Sequence, residues 1–202
     1  MGLFSSLFGG KSSASTVELM SDRIWMSRQA KFHGIGQDLA GRSGSVAVLL
    51  IAYFADTLEE LNAIVAQYQG QTPAKALLAE QLSGELAGSL NLDPTAKIDL
   101  IVAERHPLLA ATDQLLEFAN GLPCQCRITH HLSLEDPLLQ SFSGEWVADI
   151  LKKLGMEENE AIESRMVSRR IQDAQRKMQA RAIGNARAES AAEWIEKNMP
   201  AT

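Results

Sequence analysis

The two cysteines of the chain and two nearby histidines are the residues best suited to bind a metal ion. Cys124, Cys126 and His130 fall on one face of a predicted strand, with His131 on the opposite face. Their spacing matches no common zinc pattern, and ligands spread along one extended strand are too far apart to converge on one ion. Free cysteine commonly packs as a small apolar side chain. We therefore predict that these residues pack in the core and that no metal is bound.

Two glycine-bearing segments could in principle bind phosphate. They read "HGIG" at 33–36 and "GRSGS" at 41–45. A phosphate loop reads GxxxxGK[ST], and no segment of this sequence has that form. Serine, cysteine, histidine and acidic residues also lack the arrangement of a hydrolase. The residues predict no catalytic site and no cofactor, so we do not expect an enzyme.

The chain is acidic overall, with a net charge of −6, but one segment near its C-terminus is strongly basic. Seven basic residues and one acid lie between Arg165 and Arg187. A solvated helix face, a surface for an acidic partner and an RNA-binding face would each show this charge pattern. The segment has no aromatic residue on which a base could stack, so we do not expect a nucleic acid partner.

The same segment has a narrow apolar face with helical spacing, which is typical of a helix that lies along another surface. We predict that it binds a protein partner through this face and the cations beside it: Val167, Arg170, Ile171, Ala174, Lys177, Met178 and Arg181. The spacing also leaves open a homo-oligomer formed through the helix.

Three apolar segments predict buried strands because they are continuous and rich in β-branched residues. They read "SVAVLLIAYF" at 45–54, "KIDLIVAE" at 97–104 and "CQCRITHHL" at 124–132. A short extended piece, Arg23 to Met26, precedes them.

Helices alternate with these strands. Ser27 can cap the first, Thr57 and Glu60 have the spacing of a capping box for the second, and Pro107 opens the third. Residues 73–90 are predicted as a loose helix. Alternating strands and helices predict an α/β fold, with a small parallel sheet flanked by helices and a long C-terminal helix.

These elements predict three parts of the chain. Residues 1–20 form a disordered leader, residues 21–155 form the α/β domain, and residues 156–202 contain one long helix from about Ser164 to Asn198. The domain includes a further helix, "GEWVADILKKL", at 144–154. No apolar run approaches the roughly 20 residues needed to span a membrane, and the cysteines are placed as reduced thiols. We expect a cytoplasmic protein that touches a membrane only peripherally, if at all.

Several short motifs resemble SecA, the bacterial preprotein-translocase motor family. "SLED" at 133–136, "KLGM" at 153–156, "AIE" at 161–163 and "AQRK" at 174–177 match landmarks where its second RecA-like nucleotide-binding domain meets the long scaffold helix. "ERH" at 104–106, Gln114-Leu115 and "AKF" at 30–32 are also similar to family segments. The resemblance spans about residues 21–184 and implies a RecA-like fold for the domain.

The sequence departs from the SecA pattern where the family contacts ATP. After Gln-Leu the family has an arginine-rich segment, "RGRSGRQG", whose arginines reach the phosphates. This chain has "LEFANGLP", so Leu116, Phe118 and Gly121 stand at the three arginine positions. No cation is then available there to stabilise charge on the γ-phosphate. The sequence also has no Walker A loop and no first RecA-like domain, so we expect half of the family's ATP site to be missing.

The resemblance and the departures together predict a non-catalytic, SecA-like interaction module associated with preprotein translocation. The expected partners are a full-length SecA, the translocon or a secretion client. One alternative is a regulator that docks on another chain's motor in a nucleotide-dependent way and changes its ATP turnover. A second alternative is a nucleic-acid-binding module derived from a helicase.

Overall fold

A mostly parallel sheet of seven strands forms the centre of the protein. The computed structural model describes residues 16–90, 92–143, 157 and 159–200, with 142 and 143 described by backbone alone. The strand order is β4-β3-β5-β6-β2-β7, and β1 also pairs with β6. All pairs are parallel except β2 with β7. The strands are β1 (Val17–Leu19), β2 (Arg23–Trp25), β3 (Ala47–Ala52), β4 (Ala74–Leu78), β5 (Lys97–Val102), β6 (Gln125–Ser133) and β7 (Ile162–Glu163).

Helices cover both faces of this sheet, so the predicted α/β class is confirmed. They are α1 (Arg28–Gly41), α2 (Ala55–Gln67), α3 (Gly84–Ser89), α4 (Leu109–Gly121), α5 (Pro137–Ser143), α6 (Arg165–Arg181) and α7 (Ala191–Asn198). The Ser27 side chain accepts a hydrogen bond from the Ala30 N–H, as predicted for the cap of α1. In the described part of the chain, no helix is both long and apolar enough to cross a membrane.

The central strands are buried on both faces, which explains their continuous apolar sequences. Leu49 and Ile51 of β3 pack with Leu115 and Ala119 of α4 on one face of the sheet. Alternate residues of the same strand pack with α1 and α2 on the other face. Cys124 and Cys126 belong to the first cluster and are free thiols, as expected for core residues.

Both glycine-bearing segments have structural explanations. Gly44 has a φ of +81°, which a turn between α1 and β3 requires and glycine readily adopts. Gly34 lies against the ring of Trp25, and a Cβ at this position would overlap the indole.

Two predicted boundaries are wrong. Residues 73–90 do not form one loose helix: Ala74–Leu78 is the edge strand β4, paired with β3, and only Gly84–Ser89 is α-helical. The stretch predicted as leader contains β1, which pairs with β6 and packs Val17 against the core. Residues 1–15 and the helix predicted at 144–154 lie outside the described residues.

The predicted helix from Ser164 to Asn198 is also wrong in its extent, because it is two helices. α6 ends at Arg181, and Ala182 is already extended, with φ −62° and ψ 131°. The chain then turns back, and the Asn198 side chain bonds both the N–H and the carbonyl of Ala186. The turn buries Trp194 to 1% exposure, which a straight continuation of α6 would not do.

The two C-terminal helices lie across the carboxyl edge of the sheet. The Gln175 amide of α6 donates to the His106 carbonyl at 2.8 Å, and Gln179 accepts from the Ala110 N–H at 3.0 Å. The ring of Trp194 on α7 meets His106 edge-on, with centroids 5.2 Å apart. This edge, where the carboxyl ends of the parallel strands meet, is therefore covered by the protein's own chain.

Candidate protein interface

The carboxyl edge of a parallel sheet is the usual ligand site of an α/β domain, and here Glu104 occupies its centre. Glu104 follows β5, and its Oε1 accepts hydrogen bonds from the backbone N–H groups of Tyr53 and Phe54, at 2.8 and 3.1 Å. Its Oε2 accepts from the Thr57 hydroxyl at 3.0 Å. The carboxylate thus lies beside the N-terminus of α2, next to the position at which helices commonly bind anions.

Burial strongly affects this carboxyl group. It raises the pKa of Glu104 to about 7, although the Lys31 charge and the hydrogen bonds from Tyr53 and Thr57 act in the opposite direction. Thr57, predicted as half of a capping box, is instead inside the first turn of α2, and its hydroxyl donates a hydrogen bond to Glu104. An internal carboxyl group therefore replaces the side-chain cap that the sequence spacing suggested.

The other two residues of the "ERH" segment are also structural. Arg105 is 4% exposed and pairs with Asp22 at 2.6 Å, and the Asp22 N–H donates to the Ser168 hydroxyl of α6. His106 stacks on Phe54, with centroids 5.4 Å apart. Burial lowers the pKa of His106 to about 4, so the ring is neutral near pH 7.

The "SLED" segment joins the end of β6 to the start of α1. Lys31, with its side chain 1% exposed, pairs with Asp136 at 2.7 Å. The same carboxylate accepts hydrogen bonds from the N–H and the hydroxyl of Ser133. Glu135 accepts from the Arg28 N–H at 2.6 Å, at the positive end of α1. The "ERH" and "SLED" segments, which are similar to SecA segments, therefore hold elements of this domain together.

The two histidines considered as metal ligands have different surroundings. Trp25 Nε1–H donates to His131 Nδ1 at 3.2 Å; because an indole only donates, His131 carries its proton on Nε2 and donates to Asp38 at 3.1 Å. Burial would raise the pKa of Asp38, but His131, Arg42 and Arg23 together hold it well below its usual range.

His130 is fully buried, and burial together with the Arg105 charge holds its pKa well below the usual value. Among the described residues, no group of three histidine, cysteine or acidic side chains is arranged to hold a metal ion.

The residues at the three family arginine positions lie on α4. Leu116 and Phe118 pack against the core cluster on the α4 face of the sheet. Gly121 is exposed at the end of the helix, with open space around the position of a Cβ. Two of the three positions are therefore occupied by half-buried apolar side chains that pack against the core.

The structure brings six of the seven predicted partner-binding residues into one groove between α5, α6 and α7. The cavity has a volume of about 1380 Å³. Val167, Arg170, Ala174, Lys177, Met178 and Arg181 line it from α6. Ile171 does not line it, because this side chain is fully buried beneath the helix with Ile24 and Leu132.

The groove has an apolar floor and a basic rim. Val167, Met178, Ile195 and Met199 belong to the apolar cluster under α6 or pack against it. Of the residues that the structure describes, six charged ones line the groove, four basic (Arg170, Arg176, Lys177 and Arg181) and two acidic (Asp173 and Glu196), which together carry a charge of +2.

Some residues of this site were missed in the sequence. The sequence does not predict the wall formed by α7 and the two residues after it, with Ile195, Met199 and Pro200, because its pattern predicts one straight terminal helix. The apolar pair Trp194-Ile195, well beyond the end of the α6 periodicity, was the available signal that this segment packs on the domain. Nothing in the sequence indicates that Gln175, a polar residue of the "AQRK" motif, is buried and bonds the His106 carbonyl.

The fold is thus that of an α/β domain whose ligand edge is closed by its own helices, and comparison with known proteins gives its family. The chain is 34% identical to the protein translocase subunit SecA of Nitrosomonas europaea over 166 residues, 80% of this chain. It is 36% identical over 119 residues (58% of this chain) to SecA of Koribacter versatilis, and 45% identical over 86 residues (42%) to SecA of Paraburkholderia xenovorans.

This chain is a SecA-related protein. The matched regions cover only 17%, 10% and 9% of these three relatives, so the chain spans less than a fifth of their length. No protein-family model matches it.

Proposed function

We propose that this protein is a non-catalytic SecA-related interaction module that associates with the preprotein translocation machinery. It acts on the cytoplasmic side of the inner membrane and binds a protein partner through the groove between α5, α6 and α7. It neither binds nor hydrolyses ATP on its own.

The observation that carries this proposal is the occupation of the carboxyl edge of the sheet. The Glu104 carboxyl group accepts hydrogen bonds from the backbone N–H groups of Tyr53 and Phe54 and from the Thr57 hydroxyl, and so occupies the space beside the start of α2 where a phosphate would bind. Gln175 and Trp194 close the same edge from above. A nucleotide would have to displace both an internal carboxyl group and two packed helices.

The residues at the arginine positions also support a non-catalytic role. Catalysis of phosphoryl transfer depends on cations that stabilise charge on the γ-phosphate. Leu116 and Phe118 supply none, and both side chains are half-buried against the core. Restoring arginine at either position would replace an apolar contact between α4 and the core.

The interaction half of the proposal rests on the groove. Its basic rim and part of its apolar floor lie on α6, which carries the "AQRK" motif of the SecA resemblance. The partner is a component of the translocation machinery, with SecA itself as the first candidate because the chain resembles a part of that protein.

Affinity purification of the full chain from its own host tests this function. We expect SecA or a component of the translocon to co-purify and to be identified by mass spectrometry. The matched control is the Ile171→Asp variant, which disrupts the seat of α6, and it should recover less of the same partner. Recovery of no component of the export machinery would contradict the proposal.

A further inference from the structure

The shape of the groove fits a helix. It is open along α6 and bounded by α5 on one side and α7 on the other, with Ser141 and Ile195 at its walls. An α-helix with its side chains is about 10–12 Å across. In an amphipathic helix, the apolar side chains recur every three or four residues and so form one face. The apolar residues of the floor, Val167, Ala174 and Met178, follow the same spacing, so an antiparallel or parallel helix could pack along them.

Methionines make this surface adaptable. Met166, Met178 and Met199 all line the groove, and Met166 is 71% exposed. Methionine side chains are flexible and polarisable, and they are used at surfaces that accept apolar helices.

The cations of the rim define the charge of the occupant. Arg176 pairs with Asp173 at 2.7 Å, which neutralises one of the four basic residues. Arg170, Lys177 and Arg181 make no ion pair with any residue that the structure describes, and all three are exposed. An occupant with carboxylates at its flanks would pair with them, whereas a basic occupant would be repelled.

We propose that the groove binds an amphipathic helix of a protein partner that has an apolar face flanked by Asp and Glu residues. This inference rests on the proposed function and specifies the chemistry of its partner. The basic rim disfavours segments that combine an apolar stretch with lysines or arginines, so the module selects for an acidic helix through attraction and against a basic one through repulsion.

The test uses the purified full chain and two designed, fluorescein-labelled peptides of about five helical turns. Both have the same leucine face; one has glutamates at its flanks and the other has lysines at the same positions. Fluorescence anisotropy should show saturable binding of the glutamate peptide, weakening as salt is added, and binding of the lysine peptide that is weaker by about tenfold or more.

Charge reversal in the protein should reverse the preference. The variant Arg170→Glu/Lys177→Glu/Arg181→Glu should lose about tenfold or more in affinity for the glutamate peptide and gain affinity for the lysine peptide. Arg169→Glu is the matched control, because Arg169 is an exposed base of α6 that does not line the groove, and it should bind the glutamate peptide like the wild type.

Three results would overturn this inference: no binding of either peptide, equal binding of both, or preference for the lysine peptide. A third variant, in which a glycine-serine linker replaces residues 144–156, tests occupation by a part of the chain outside the described residues. Binding seen only in that variant would assign the groove to the chain itself and would also overturn the inference. Each of these failures leaves co-purification with the export machinery and nucleotide binding as independent tests of the proposed function.

Discussion

The Glu104 side chain occupies the position at the carboxyl edge of the sheet where a ligand would otherwise bind. Its sequence context, at the end of an apolar strand, is also that of a catalytic or ligand-binding acid in an α/β protein. The structure instead gives its oxygen atoms three intramolecular donors and leaves the residue only 5% exposed. The spacing of Thr57 and Glu60 suggested a local cap for α2, because a sequence pattern cannot reveal a carboxylate that arrives from a strand 47 residues away.

The first prediction concerns the loss of this carboxylate. Glu104→Ala leaves two backbone N–H groups and one hydroxyl without their acceptor in a buried site, and should lower the free energy of unfolding by about 3 kcal/mol or more. Glu104→Gln keeps an acceptor for both N–H groups and should cost about 1 kcal/mol. Urea unfolding of the three proteins at pH 7 measures both differences. Equal stability of the alanine variant and the wild type would contradict the capping role.

The difference in stability between the wild type and Glu104→Gln should depend on pH. The folded pKa of Glu104, about 7, lies above the ordinary value of 4.5, so between these two pH values the folded protein binds more protons than the unfolded chain. The contribution of Glu104 to stability therefore falls as pH rises from 4.5 to 7 and is constant above that. Glutamine does not titrate. The stability of Glu104→Gln relative to wild type should rise between pH 5 and pH 8, and a constant difference would argue against a raised pKa.

At the scale of elements, three of the four landmark motifs of the SecA resemblance join secondary structures to one another, and the fourth, "KLGM" at 153–156, lies outside the described residues. "SLED" ties β6 to α1 through the Lys31–Asp136 pair, and "AIE" contributes β7, where Glu163 pairs with Arg23 of β2 at 2.8 Å. "AQRK" seats α6 through Gln175, while its Arg176 and Lys177 stay on the groove. In this chain, these three motifs therefore hold neighbouring elements together.

The apolar face of α6 packs α6 onto the domain and also contributes to the floor of the groove. Ile171 is fully buried and Met178 is 8% exposed. Ile171→Asp and Met178→Asp each place a carboxylate in the apolar cluster and should lower the free energy of unfolding by about 3 kcal/mol. Lys177→Asp, an exposed position of the same helix, is the control and should change it by about 0.5 kcal/mol or less. Chemical denaturation compares the three, and unchanged stability of both apolar variants would refute the seating of α6.

The return of α7 onto the domain gives a further prediction at this scale. Trp194→Ala removes a buried indole and should lower the free energy of unfolding by about 3–5 kcal/mol. It also uncovers His106, whose pKa should rise from about 4 toward 6.5 because less of the imidazole is desolvated. Thermal unfolding and NMR titration of the imidazole measure the two effects.

Ile183→Ala is the control for the indole, since Ile183 is 73% exposed between the two helices. It should leave both the stability and the His106 pKa near the wild-type values. A Trp194→Ala variant with an unchanged His106 pKa would contradict the packing of α7 over the carboxyl edge.

For the whole molecule, the sequence predicts the layers well and the C-terminal arrangement poorly. The apolar segments around Leu49, Leu100 and Ile128 identify the central strands because burial on both faces leaves a continuous apolar run. β4 was missed because it is a short edge strand with Lys75 exposed, which weakens any strand pattern. The return of α7 was missed because helical periodicity describes one helix at a time and not where the chain reverses.

The sequence predicts only part of the candidate site, because helical periodicity describes one helix at a time. The spacing on α6 selects the residues that share a face, but it does not separate those that line the groove, such as Val167 and Met178, from Ile171, which is buried under the helix. Only the tertiary structure shows that α5 and α7 complete the groove.

The central claim is that the carboxyl edge of the sheet is closed to nucleotides by Glu104, α6 and α7. Isothermal calorimetry of the purified full chain with Mg-ATP and Mg-ADP tests it most directly, with an ATPase assay of the same sample. We predict no heat of binding above dilution and no hydrolysis. Saturable binding of either nucleotide at micromolar affinity would mean that the edge opens to phosphate, and the non-catalytic account of this protein would be wrong.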